Sequence, residues 1–111
     1  MAYDEALAAR IRELVGGGAD VAERKMFGGL AFLVGGHMAV AASGQGGILV
    51  RVDPDASEDL VAKTGASPME MRGRRMAGWL RVDASDVDTE PELAVWVERG
   101  VGYARTLPPK R

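Results

Sequence analysis

The sequence predicts an α+β fold, in which an antiparallel sheet of about five strands carries helices mainly on one face. The predicted order is α-β-β-β-β-α-β-α, in two layers. Three observations lead to it. Segments near both ends repeat apolar residues at helical spacing, whereas residues 23–52 repeat them at a spacing of two. The links between the strands are also too short for parallel crossovers. The 111 residues form one predicted domain, spanning 1–111.

The first predicted element is an amphipathic helix near the amino terminus. Asp4 and Glu5 suit the positive end of its dipole, and charged residues separate its apolar positions. Three glycines, at 16–18, end the helix because glycine adopts the left-handed cap conformation at little cost. The apolar positions at helical spacing are Tyr3, Leu7, Ile11 and Leu14.

Four strands of a meander are predicted within residues 23–52, the first of them a short one around Lys25 to Phe27. Gly35 and Gly36 indicate a two-residue hairpin turn. Alternate residues of a strand face opposite sides of a sheet. In the second strand Leu30, Phe32 and Val34 are expected to share a face, and in the fourth strand Ile48, Val50 and Val52 are expected to share one. In the third strand, the expected alternation is Met38 and Val40 against Ala39 and Ala41.

A second helix is predicted to open at Asp53 and Pro54, since proline fits the first helical turn, and to end at Gly65. Residues 67–75 read as a loop or a short extended piece that ends in a turn. The final strand is predicted over residues 76–82. Its expected alternation is Met76, Gly78, Leu80 and Val82 against Ala77, Trp79 and Arg81.

The last predicted helix begins after the cap residue Thr89, with Pro91 in its first turn. Gly100 and Gly102 lie inside it, where each glycine costs about 1 kcal/mol relative to alanine. A close approach of the helix to the sheet, or a bend, would offset that cost. The expected buried stripe contains Leu93, Trp96, Val97, Gly100, Val101, Ala104 and Leu107.

Catalytic, metal and cofactor sites are not expected. The chain has no cysteine, which excludes disulfides, thiolate metal sites and cysteine nucleophiles. His37 is the one imidazole, and we expect it to lie exposed or on an edge strand. The sequence has no G-x-S-x-G nucleophile motif and no phosphate-binding glycine loop. We therefore expect no enzyme. Without an apolar run of about 20 residues or a signal peptide, we expect a cytoplasmic protein.

A set of basic residues, with one tryptophan, is the candidate interaction surface. The net charge of −2 argues against a polycation that coats nucleic acid or lipid. If the final strand lies near the first strand, the cations would form one patch. Three interpretations stay open: an ordinary ion-paired face, contact with a partner protein, and contact with nucleic acid. The candidate residues are Arg24, Lys25, Arg51, Arg72, Arg74, Arg75, Trp79 and Arg81.

The methionine content is mildly high, at six in 111 residues. Methionine is flexible and polarisable, so it serves both as core filler and as the lining of adaptable binding surfaces. Both interpretations stay open. The methionines concerned are Met26, Met38, Met69, Met71 and Met76.

Several separated blocks resemble the TfoX N-terminal domain family. They are residues 23–34 (ERKMFGGLAFLV), 49–52 (LVRV), 68–69 with 73–79 (PM and GRRMAGW), and 94–100 (AVWVERG). The resemblance implies a secretion-chaperone-like α+β fold. It also implies a stand-alone member, because members that regulate natural competence as transcriptional coactivators carry a second, C-terminal domain. The family offers no catalytic residues to carry over.

The expected function is that of a non-catalytic regulatory or protein-interaction domain, without a cofactor. Its expected partner is another protein. A homodimer and a nucleic acid bound through the arginines are the alternatives, and no membrane partner is expected.

Overall fold

The computed structural model describes residues 3–26, 28–71 and 73–108, and it confirms the predicted α+β fold with an antiparallel sheet and a layer of helices. A short 3-10 helix, Ala84–Val87, precedes the last α-helix. The α-helices are α1 (Glu5–Val15), α2 (Pro54–Lys63) and α3 (Glu90–Thr106). The strands are β1 (Val21–Met26), β2 (Gly29–Val34), β3 (His37–Ala42), β4 (Ile48–Arg51), β5 (Ser67–Met71) and β6 (Arg74–Val82).

The sheet contains six strands in the order β1-β2-β3-β4-β6-β5 among the described residues, one more than the sequence suggested. The additional strand is β5, in the segment that reads as a loop or short extended piece. It pairs with β6 and forms the edge of the sheet opposite β1. An edge strand needs neither an apolar face nor strict alternation, and it tolerates a proline such as Pro68. The alternation of apolar and polar residues, by which a strand is recognised in a sequence, therefore does not reveal β5.

The helices pack on one face of the sheet and enclose the main core. Leu7 and Ile11 of α1 and Leu93 and Val97 of α3 are almost fully buried there. The predicted stop of α1 is confirmed, since Gly16 caps it with φ +81° and donates its amide to the carbonyl oxygen of Arg12. The sheet residues that complete this core include Leu30, Phe32, Val34, Ile48, Val50, Val52, Leu80 and Val82.

A second apolar cluster lies on the opposite face of the sheet, and all of its buried members come from strands. We call this the helix-free face, because no described helical residue belongs to the cluster. The buried members are Ala31, Leu33, Met38, Ala41, Leu49 and Met69. Half-buried Met26, Met76 and Trp79 pack against them.

Two irregularities reverse the predicted alternation in β3 and β6. The register shifts in β2 between Phe32 and Leu33, which puts Met38 on the helix-free face and Val40 in the main core. The two residues were expected to share a face, and that expectation is wrong because of the bulge.

In β6 the pairing jumps from Pro68–Leu80 to Glu70–Arg75, and Gly78 lies between with φ +83°. Met76 thus joins Trp79 on the helix-free face and not Leu80 in the main core. A positive φ of this size favours glycine, so Gly78 is the residue that makes the irregularity cheap.

The last helix crosses β3 at Gly100. A Cβ atom there would overlap the carbonyl oxygen of Ala39, which confirms the predicted close approach of helix and sheet. Gly102 has open space around the same position, so it makes no such approach. Thr89 and Glu92 form a full capping box at the start of α3, which confirms Thr89 as its cap.

Candidate interaction surface

Positive charge is concentrated on the strands. They carry six cationic side chains, at Arg24, Lys25, Arg51, Arg74, Arg75 and Arg81. Their acidic residues are two, Glu23 and Glu70. The rest of the chain holds the other 8 of 14 cations and 14 of 16 acids. A chain with a net charge of −2 thus divides into a sheet of +4 and a remainder of −6.

The ion pairs of the described residues all use helical cations. Arg12 holds Glu23 at 2.6 Å, Lys63 holds Asp59 at 3.0 Å, and Arg10 and Arg105 bind their acids at 3.4 Å. None of the described strand cations forms an ion pair within 4.0 Å. The interpretation as an ordinary ion-paired face therefore fits the helices and not the strands.

The Arg12–Glu23 pair accounts for the one strand carboxylate that faces the helices. Both guanidinium nitrogens Nε and Nη2 donate to it, at 2.6 and 2.8 Å. The hydrogen bond from Arg12 lowers the pKa of the Glu23 carboxyl, and the same bond raises the pKa of Arg12. Glu23 is thus committed to α1 and does not neutralise the strand arginines.

Arg24 and Arg81 lie at opposite ends of one cross-strand row on the helix-free face. The row runs from Arg24 through Ala31, Ala41 and Leu49 to Arg81. Four strand spacings separate its ends, or about 19 Å at roughly 4.8 Å each. The final strand therefore does not lie beside the first. Arg24 and Arg81 share a face, but the candidate cations do not merge into one compact patch.

Arg51 and Trp79 are cross-strand neighbours at the end of β4. The guanidinium carbon of Arg51 lies 5.1 Å from the centre of the Trp79 ring and 5.8 Å from that of Tyr103 in α3. Cation–π attraction holds the charge there without a carboxylate partner. No hydrogen bond from this guanidinium is found within the described ranges, so its N–H groups stay available to an anion.

The remaining candidates are distributed over both faces. Arg75 lines a cavity of about 340 Å³ between α2 and β6, where Glu58 and Trp79 also contribute. Lys25 pairs with Leu30, which places it on the side of the helices. Arg74 is exposed at the start of β6. Arg72, like Phe27 of the predicted first strand, lies outside the described residues.

A second cavity, of about 350 Å³, opens on the helix-free face. Its apolar floor is made by Leu49 and Met69, and Arg81 and Glu70 stand at its wall. Ser43, Gln45 and Pro68 complete the lining. A cavity of this size lies at the low end of the range for bound ligands, and it is large enough for one apolar side chain.

Four of the six methionines belong to the cluster on the helix-free face: Met26, Met38, Met69 and Met76. The sequence leaves open whether they are core filler or an adaptable surface, and it does not show that they gather on one face. This clustering of methionines can be recognised only when the two bulges and the strand order are known.

Groups for metal or proton chemistry are sparse on this surface. The described residues contain no group of three or more His, Cys, Asp or Glu that could hold a metal ion. His37 is half-buried, and its Nε2 lies 2.6 Å from the carbonyl oxygen of Pro108, which ties β3 to the end of α3. What the surface offers is guanidinium donors around an apolar floor. Such groups bind carboxylates and apolar side chains.

None of the helices that the structure describes has the length and apolar character needed to cross a membrane.

Comparison with known families matches residues 13–104 of the 111 to the TfoX N-terminal domain. The fold and the candidate surface thus occur in a chain that belongs to the TfoX N-terminal domain family, as the sequence blocks indicated. No curated protein matches the chain.

Proposed function

We propose that this chain is a non-catalytic regulatory domain of the cytoplasm that binds another protein through the cations of its sheet. The observation that carries the proposal is the division of the charges. Four of the five helical cations, all except Arg99, are held by ion pairs, whereas the described strand cations have none. Guanidinium groups that lose their water on binding are stabilised when a partner supplies carboxylates, and charge complementarity of this kind gives specificity and fast association.

Membership of the TfoX N-terminal domain family supports a regulatory role. Members with a second domain regulate competence as coactivators, which is a function exercised through contact with other macromolecules. A contact surface without catalytic groups suffices for such a role.

A protein partner fits the charge distribution better than a nucleic acid does. The acidic remainder of the chain carries −6 and would repel a long polyanion, whereas a protein segment can end at the border of the sheet. Single-stranded nucleic acid also needs aromatic side chains interleaved with cations. Trp79 is the one aromatic residue on the described part of the helix-free face.

The test is quantitative affinity purification from cell lysate, with bound proteins identified by mass spectrometry. The Arg74→Ala/Arg75→Ala double variant removes two strand cations. The matched control, Arg10→Ala/Arg105→Ala, removes two helical cations and the same total charge. We expect a reproducible partner whose recovery falls in the strand variant and persists in the control. Absence of any reproducible partner, or equal recovery from both variants, would contradict the proposal.

A gel shift with duplex and single-stranded DNA tests the alternative, in which the arginines bind a nucleic acid. We expect no shift at low salt. A shifted complex whose affinity falls steeply between about 50 and about 200 mM salt would replace the protein partner by a nucleic acid.

A further inference from the structure

The helix-free face has the chemistry of a binding surface for a particular kind of protein segment. We propose that it receives an acidic segment of the partner that also carries apolar side chains. This inference rests on the proposed function and adds to it which face binds and what it recognises.

The apolar part of the site is the cavity above Leu49 and Met69. Both side chains are buried in the free protein, at 4% and 8% exposure, so the cavity floor already exists before anything binds. Half-buried Met26, Met76 and Trp79 border the same cluster. Methionine side chains change rotamer cheaply, which lets such a surface adjust to the apolar side chain of a partner. One apolar side chain of the segment would occupy the cavity.

The charged part is a set of arginines that project from this face. Arg81 stands at the wall of the cavity, and Arg24 ends the same cross-strand row. Arg51 lies at the end of β4 between Trp79 on this face and Tyr103 of α3, so its guanidinium borders the face. Glu70 is the acidic residue in the lining of this cavity. Its carboxylate forms no ion pair with Arg81 within 4.0 Å. A neutral segment would leave these charges uncompensated.

The distance between the two ends of the row, Arg24 and Arg81, sets the length of the acidic segment. Its ends are about 19 Å apart, so carboxylates that meet both Arg24 and Arg81 are separated by about six extended residues or about 13 helical ones. An acidic side chain next to the apolar anchor would pair with Arg81. A second one, at that separation, would pair with Arg24.

Charge disfavours the simplest other occupant, a second copy of this chain on the same face. In a two-fold face-to-face dimer, the arginines of one copy would oppose those of the other around the shared cluster. Like charges brought together without counter-charges weaken association. The acidic segment supplies the missing charge and fills the cavity at the same time.

The experiment selects binders from a phage-displayed library of random 14-residue peptides. Peptides that survive selection are synthesised and titrated into protein with 13C-labelled methionine methyl groups, followed by NMR. We expect enrichment in Asp or Glu together with Leu, Met or Phe, and shifts at the methyls of Met26, Met38, Met69 and Met76. We also expect Arg81→Ala and Arg24→Ala each to weaken binding about tenfold, the effect of one lost charge-assisted hydrogen bond.

Arg99→Ala is the matched control, because Arg99 lies on α3, packed over Trp96 at 4.6 Å. The affinity of this variant for the selected peptides should equal that of the wild type. The inference fails if the library yields no binder, if the selected peptides lack acidic residues, or if they leave those methyls unmoved. It also fails if the methyl shifts follow protein concentration alone, which would show self-association.

The two proposals fail differently. A partner that depends on Arg74 and Arg75 but leaves the methionine methyls unshifted would keep the proposed function and overturn this choice of face. Loss of every partner in the purification experiment would overturn both.

Discussion

Gly100 of α3 lies directly against the carbonyl oxygen of Ala39 in β3. A Cβ atom at this glycine would overlap that oxygen and come within 3.3 Å of Val50 Cγ1. Helix and sheet approach here backbone to backbone, which brings the buried stripe of α3 into contact with the middle of the sheet. Gly100 lowers the helix propensity of α3, yet it is the residue that allows this helix to pack closely against the sheet.

Replacing Gly100 by alanine should destabilise the protein, although the same change normally favours a helix. Overpacking costs about 1–3 kcal/mol and exceeds the gain of about 1 kcal/mol in propensity, because backbone atoms cannot move aside as a side chain can. Gly102→Ala is the matched control. Open space around Gly102 should let that variant gain about 0.5–1 kcal/mol. Urea denaturation measures both, and a Gly100→Ala variant as stable as Gly102→Ala would contradict the close approach.

The Arg12–Glu23 pair should contribute stability that depends on pH. Its hydrogen bond lowers the pKa of Glu23 in the folded state. The contribution is therefore present above the ordinary carboxyl pKa of about 4.3 and is lost as the pH falls through the lowered value. We expect Glu23→Gln to be less stable than wild type at neutral pH and to approach it in acid. In NMR titration, the pKa of Glu23 should rise in Arg12→Leu, and an unchanged value would refute the pairing.

The contact of Arg51 with Trp79 should be measurable as a coupling between the two side chains. Arg51→Met keeps the length of the side chain and removes its charge. We expect a double-mutant cycle with Trp79→Leu to give about 0.5–1 kcal/mol, the usual size of a cation–π interaction near the surface. Arg81→Met, combined with the same tryptophan change, is the control, since Arg81 is not stacked on a ring in the described residues. A coupling no larger than the control would show that the stacking adds nothing.

Much of the fold follows from local sequence signals. The glycines after α1, the Gly35–Gly36 turn with φ of 61° and 85°, and the Thr89 cap act over a few residues, so the sequence alone indicates them. β5 does not follow, because its identity as a strand comes from pairing with β6. Pro68 and the change of register near it remove the alternation by which a strand is recognised.

The candidate surface was predictable only as a set of residue types. Sequence reasoning can name Arg24 and Arg81 as cations on strands, but their relation depends on strand order. Because β4 pairs with β6, three strands separate β1 from β6 and the two arginines end one long row. The methionine cluster depends on two bulges as well. The register shifts by one residue in β3 and by three in β6, and a pattern of period two gives no reliable sign of either shift.

The account depends most on the helix-free face being positively charged in a protein whose net charge is negative. Paramagnetic relaxation by small charged nitroxides measures this directly, with an anionic and a cationic probe compared at each methyl and amide group. We expect the methyls of Met26, Met38, Met69 and Met76 to relax faster with the anionic probe. The amides of the exposed side of α2, which carries Glu58 and Asp59, should relax faster with the cationic probe. Equal relaxation by both probes at the methionines, or faster relaxation by the cation, would contradict the account.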